Sequence, residues 1–308
     1  MKPSHAIGLD VGGTKIAGGI VSQQTGQVLE RRIIPTLAKR GGEAVFQDCV
    51  SLAQVLFAEA NSQKLDIQGI GLGVPELVDL EGNLTEAYNF DWRGIDVPQA
   101  FAHLAPAIVD SDVRSSALAE AVFGAGKSYR LFAYVTIGTG ISYCLVQDGR
   151  PYAGARGNAL LLASAPITTT CPACAVTSQV VLEEFAAGPA LVARYNQTSD
   201  QAVATGEAVF EALNAGDPIA QQVITSAGEA LGGSIGFLVN ILDPEAIVIG
   251  GGLGLAGGLY WETLIQSTRK HIYADSTRDL PIIPATLHVD AGLIGAATLI
   301  FQNLSDVS

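Results

Sequence analysis

The chain has 308 residues, 48% of them hydrophobic and 15% charged, and a formal net charge of −13. This composition supports one large domain or two lobes with a substantial core and excludes a disordered chain. The acid excess argues against a nucleic-acid surface, which needs clustered Lys and Arg, yet leaves room for a small phosphorylated ligand held by backbone N–H groups.

Met1 to His5 leads directly into a strand-like run without a signal-peptide pattern, and no apolar run spans a membrane without Gly or charged breaks. With four cysteines (Cys49, Cys144, Cys171 and Cys174), a reduced, cytoplasmic protein is expected. Strands are predicted over 6–11, 15–21 and 28–35, rich in Ile and Val and separated by Gly-Gly-Thr and Thr-Gly turns. Helical spacing of Val45, Phe46, Cys49, Val50, Ala53 and Phe57 predicts a helix over 43–60. A buried strand over 67–74, a helix over 97–104, a short strand over 107–110 and a helix over 113–123 follow.

The opening pattern then recurs. Strands over 131–137 and 141–147 flank Gly138-Thr139-Gly140, and Asp148-Gly149 turns into a third short strand. The strand–turn–strand–turn–strand unit near 6–35 and 131–154 is a weak internal repeat. Helices are predicted near 178–195, 203–214 and 217–242. A strand over 245–249 runs into Gly250-Gly251-Gly252, and a helix near 260–271, a strand near 282–289 and a helix near 292–303 complete the chain. Two α/β lobes with a cleft between them are the natural reading.

Read alone, Asp10-Val11-Gly12-Gly13-Thr14-Lys15 is either an ordinary hairpin turn or a phosphate cradle. In the second reading the glycines aim N–H groups outward, Thr14 and Lys15 add a hydroxyl and a charge, and Asp10 holds magnesium directly or through water. The chain returns as a strand, so the element is not a P-loop. Gly138-Thr139-Gly140 holds the same place in the second unit, and Gly250-Gly251-Gly252 is a third close-approach turn. Asp112, at a helix start, is either a first-turn acid or a base for a hydroxyl acceptor.

The order of these elements resembles the sugar-kinase, actin and heat-shock chaperone superfamily. Within it, LDVGGTKIAGGIV, GLGVPELVD, VDSDVRSSALAEAVFGAG, VTIGTGIS and IVIGGGLG resemble the ROK family (repressor, open reading frame, kinase) over nearly the whole chain. The resemblance implies a two-lobed actin/hexokinase-like (ribonuclease H-like) α/β fold with an ATP cleft between lobes. A smaller lobe would span 1–115, completed by a C-terminal helix over 291–308, and a larger one 116–290. ATP phosphates would lie near Gly12, Gly13, Thr14, Gly138, Thr139 and Gly140, and adenosine near Gly251 and Gly252. The family's Asn-Asp-x-Asn-x-Ala-x-x-x-Glu run reads Ser111-Asp112-Val113-Arg114-Ser115-Ser116-Ala117-Leu118-Ala119-Glu120 here, which makes Asp112 the general base, with Asp110 the runner-up. Both Asn positions are changed, to Ser111 and Arg114.

The acceptor side departs further. In GARGNALLLAS (154–164), Leu161, Ala163 and Ser164 fill the positions of the family's Glu-x-Gly-His sugar clasp. A leucine accepts no hydroxyl proton, so plain glucose is disfavoured as the preferred acceptor. Against the family's zinc pattern, Cys174 meets the first Cys position, while Val176 and Val181 replace others. Cys171-x-x-Cys174 lacks a second pair or a nearby His, so no complete zinc site is expected. Glu183 matches a family Glu that reaches the sugar. Glu76 stands where the family has Gly, either restoring a carboxylate to the acceptor pocket or forming a solvated turn. Asn89 and Trp92 resemble an Asn-Leu-x-Trp segment, with Trp92 read as packing.

The implied function is ATP- and Mg2+-dependent phosphoryl transfer to a hydroxyl of a hexose derivative, amino sugar or cyclitol. The alternative is a catalytically inactive nucleotide- or sugar-binding sensor or scaffold. A DNA-binding repressor would carry a helix-turn-helix domain before the first phosphate turn, and only six residues precede Ile7 here. A homodimer is implied by the resemblance alone.

Overall fold

The computed structural model describes residues 4–170 and 177–307. Cys171 and Cys174, the metal-like pair, lie outside the described residues. The first three strands, β1 (Ser4–Val11), β2 (Lys15–Ser22) and β3 (Val28–Pro35), form an antiparallel meander. The 21-residue helix α1 (Gly42–Ser62) buries Val45, Phe46, Cys49, Leu52, Ala53, Leu56 and Ala60, the face that the sequence spacing marks. Strands β4 (Asp66–Val74) and β5 (Ala107–Ser111) add in parallel, giving the order β3-β2-β1-β4-β5, with the short helix α2 (Val97–Phe101) between them in sequence. Helix α3 (Asp112–Val122) starts directly after β5, whose last residue Ser111 caps it, Oγ accepting from the Arg114 N–H at 3.4 Å.

The second sheet has the order β12-β11-β6-β7-β8, formed by β6 (Leu131–Ile137), β7 (Ile141–Gln147), β8 (Arg150–Pro151), β11 (Ala246–Gly250) and β12 (Ile282–Pro284). A separate hairpin pairs β9 (Pro166–Thr170) with β10 (Thr177–Val181). The remaining helices are α4 (Glu183–Ala186), α5 (Gly188–Thr198), α6 (Gly206–Asn214), α7 (Pro218–Leu242), α8 (Gly258–His271) and α9 (Ala291–Val307).

Two expectations need correction. The helix expected over 178–195 is a strand, a four-residue helix and an eleven-residue helix. Thr168, Thr169, Thr170, Thr177, Val180 and Val181 are β-branched and pair as a ladder, and helix formation restarts at Gly188-Pro189. The strand expected over 282–289 ends at Pro284, and a 3-10 turn occupies His288–Asp290.

Two compact units emerge. The first comprises residues 1–130, 144–159 and 286–308, and the second 131–143 and 160–285. Each has its own core. Ile7, Leu9, Leu56, Ile70, Leu72 and Phe101 centre the first, and Val135, Ile137, Leu231, Ile235, Ile247 and Leu264 the second. No helix among the described residues is long and apolar enough to cross a membrane.

Candidate active site

In the first unit, the Gly12–Lys15 turn closes on itself. The Gly12 N–H donates to Lys15 O at 2.9 Å, while Thr36 donates its hydroxyl to Gly12 O at 2.5 Å and its N–H to Thr14 O at 3.0 Å. These bonds leave Gly13, Thr14 and Lys15 exposed at the tip. Asp10 is the penultimate residue of β1, just before the turn. A Cβ built on Gly292, in the first turn of α9, would lie 2.6–2.7 Å from the Asp10 carboxyl atoms, so Gly292 is required for that close approach. Burial raises the Asp10 pKa to about 6 against the opposing charge of Lys15.

Asp112 opens α3, with its carboxylate accepting the Val113 N–H at 2.6 Å. Its pKa is pushed up to about 7, first by burial and then by the negative charges of Asp10 and Glu76. The three carboxylates therefore share one neighbourhood. Asp110, the runner-up base, is engaged elsewhere: its Oδ1 accepts the Ser111 N–H at 2.7 Å and Arg114 Nε at 2.6 Å, and forms an ion pair with Arg114 Nη2.

Glu76 is buried, so the solvated-turn reading is corrected. Its oxygens accept the N–H groups of Tyr88 (2.7 Å), Asn89 (2.6 Å) and Phe90 (3.1 Å). The carboxylate thus fixes the 88–90 segment. Asn89 in turn donates its side-chain amide to Pro75 O at 2.8 Å, and a Cβ built at Gly13 would meet Asn89 Oδ1 at 3.6 Å. Trp92 is packing, as expected: it is buried edge-on to Phe46 at 5.1 Å and donates Nε1 to Gly42 O at 2.8 Å.

In the second unit, the Gly138–Gly140 turn is braced from two sides. The Gly188 N–H at the start of α5 donates to Gly138 O at 2.9 Å, and the Ile141 N–H donates to Glu183 Oε2 at 2.7 Å. Glu183 therefore lies on the turn itself, 2.7 Å from where a Gly140 Cβ would stand. Gly251 has φ 81°, and a Cβ there would strike Ile137 O, which accepts the Leu253 and Gly254 N–H groups at 3.0 Å each. The structure thus brings together Gly138, Thr139, Gly140, Gly251, Gly252 and Glu183. Leu161 is half-exposed just before a 3-10 turn that contains Ser164. Leu160 beside it holds a left-handed φ of 62°. Among the described residues no group of three or more His, Cys, Asp or Glu is arranged to hold a metal ion.

Sequence reasoning missed two contributors. Gly292 carried only the signal of a glycine near a helix start. Arg114 carried a stronger one, a charged residue two positions past the candidate base, but its carbonyl partners lie 36 and 43 residues away.

The family model described as "ROK family" matches residues 6–303. The chain belongs to the ROK family. The glucokinase of Halalkalibacterium halodurans is 30% identical over 320 residues, covering 96% of this chain and 94% of that one. The crystal structure of a ROK family glucokinase from Streptomyces griseus in complex with glucose and AMPPNP matches with a TM-score of 0.80 at 26% identity, over 97% of this chain and 100% of that one. The ROK hexokinase from Thermus thermophilus matches with a TM-score of 0.79 at 30% identity, over 98% and 99%. This ROK chain accordingly has the mixed α/β, actin/hexokinase-like fold of these kinases.

Proposed function

We propose that this ROK protein is an ATP-dependent carbohydrate kinase in which Asp112 takes the proton from the acceptor hydroxyl. The observation that carries this reading is the Asp112 carboxyl itself, raised to about 7 beside Asp10 and Glu76. A base poised near neutrality is substantially ionised at working pH yet basic enough to bind a proton in the transition state. The resemblance to glucokinases supports ATP as donor and a sugar-like ring as acceptor.

Asp10 fits a hard divalent cation. Among the described residues its carboxylate accepts no hydrogen bond, and it sits against the first turn of α9. Magnesium held there with ATP would neutralise charge on the phosphates. The protein's own part is positional. The N–H groups of Gly13 and Thr14 in the first unit, and of Thr139 and Gly140 in the second, are the donors offered to phosphate oxygens, Gly251 and Gly252 admit adenosine, Asn89 and Ser111 serve the acceptor, and Glu183 braces the Gly138–Gly140 turn. Leu161 and Ser164 remove a carboxylate and an imidazole from the family clasp, which favours a hexose derivative, amino sugar or cyclitol over plain glucose.

The test is ADP release with ATP and magnesium over a panel of hexoses, amino sugars, N-acetyl amino sugars and cyclitols. Asp112→Asn is expected to cut acceptor-dependent turnover by at least about 10³-fold while nucleotide still binds. Retained transfer in Asp112→Asn removes its role as base. Absence of turnover with every acceptor, despite nucleotide binding, favours the inactive sensor or scaffold.

A further inference from the structure

Arg114 stands where the family run has Asn, and the structure gives it a position that an Asn side chain is too short to fill. Its guanidinium is buried at 7% exposure and reaches three separate pieces of chain within the first unit. Nε and Nη2 hold Asp110 at the end of β5. Nη1 donates to Gly157 O at 2.6 Å, and Nη2 to Val78 O at 2.8 Å. Gly157 belongs to the GARGNALLLAS segment, and Val78 follows Glu76 by two residues.

The two carbonyls meet because the segments are in backbone contact. Gly157 has φ 83°, and a Cβ there would strike Val78 O. Val78 is further fixed by a bridge to Leu84, and the turn between them is closed by Asp79 Oδ1 accepting the Glu81 and Asn83 N–H groups at 3.0 and 2.7 Å. Both carbonyls direct their negative ends at the same planar guanidinium, whose fixed fork of donors satisfies the two together. Asp110 offsets the buried charge. The same Arg is on the first turn of α3, two residues after Asp112.

We propose that Arg114 is a positioning residue for the acceptor: it locks the 154–159 loop onto the Val78 turn and holds that wall in register with Asp112. This rests on the kinase reading above. With the clasp carboxylate replaced by Leu161, acceptor orientation depends more on a rigid backbone wall than on side-chain charge. Glu76 contributes from the other end of the same loop by pinning residues 88–90.

The test compares wild type with Arg114→Lys, which keeps a positive charge beside Asp110 but lacks the fork that spans both carbonyls. Steady-state kinetics use the acceptor that wild type turns over best. The expected result is an acceptor KM raised about tenfold, kcat within about twofold, and ATP KM unchanged. Amide hydrogen exchange should quicken in 76–84 and 154–159 while the second unit keeps its protection. An unchanged acceptor KM, or a fall in kcat alone, overturns the proposal, as does unchanged exchange in both loops. A wild-type protein that turns over no acceptor removes the kinase reading, and the acceptor role of Arg114 falls with it. Wild-type turnover with unaltered Arg114→Lys kinetics removes Arg114 alone.

Discussion

A carboxylate taken out of water holds its proton more tightly, and neighbouring carboxylates reinforce the effect. Asp112 meets both conditions, and Asp10 meets the first. Transfer requires the ionised base, so kcat/KM should fall about tenfold per pH unit below an apparent pKa near 7, with the value belonging to the Asp10–Asp112 pair. A profile flat down to pH 5 would remove Asp112 as base. The same shift carries a stability cost. A group whose folded pKa is raised contributes stability fully only below its unfolded value, near 3.8, and loses it as pH rises through about 7. Asp112→Asn should therefore be more stable than wild type at pH 8 without magnesium, by up to about 4 kcal/mol. The advantage should shrink as pH falls through 7 toward 4. Urea titrations at several pH values read this directly, and a pH-independent difference would contradict it.

The elements that carry the site are fixed by a few buried polar staples. Glu120 near the end of α3 is fully buried and accepts the N–H groups of Ala125 (2.6 Å), Thr286 (3.2 Å) and Leu287 (2.8 Å). It ties α3 to the segment leading into α9, which carries Gly292 against Asp10. Glu120→Ala leaves these donors unpaired and should cost about 3 kcal/mol in equilibrium unfolding. A loss below about 1 kcal/mol would mean that water replaces the carboxylate. Much at this scale was legible in the sequence. The β1–β2–β3 meander announced itself by alternating Ile and Val around Gly turns, and the α3 start by Ser-Asp after an apolar strand. The β9–β10 hairpin did not, because a short β-branched stretch beside a true helix satisfies either spacing. Asp112 and Asp10 could be proposed from sequence because a carboxylate carries its chemistry in its own side chain, and the glycine turns because a missing Cβ is itself the signal. The work of Glu76 and Arg114 was not, because their partners are backbone N–H and C=O groups that every residue type carries, brought close only by the fold.

At the scale of the whole molecule, the candidate ligand groups divide between two units with separate cores. Asp10, Glu76, Asn89, Asp112 and Arg114 belong to the first, and Gly138–Gly140, Glu183 and Gly250–Gly252 to the second. A perturbation confined to the Gly250–Gly252 turn of the second unit should therefore weaken nucleotide and spare the acceptor groups of the first. Gly251 offers the cleanest case. Its φ of 81° disfavours any side chain, and a Cβ would displace Ile137 O, the acceptor for Leu253 and Gly254. The displaced backbone belongs to the turn assigned to adenosine and abuts the one assigned to phosphate. Gly251→Ala should raise the dissociation constant for a fluorescent ATP analogue by about tenfold or more, equivalent to at least about 1.4 kcal/mol. Acceptor affinity measured calorimetrically without nucleotide should stay within about twofold of wild type. Arg114→Lys should give the opposite pattern in the same two assays. Equal loss of both ligands in either variant would show that the adenosine turn and the acceptor wall respond together, and the assignment of adenosine to the second unit and acceptor to the first would no longer explain the kinetics.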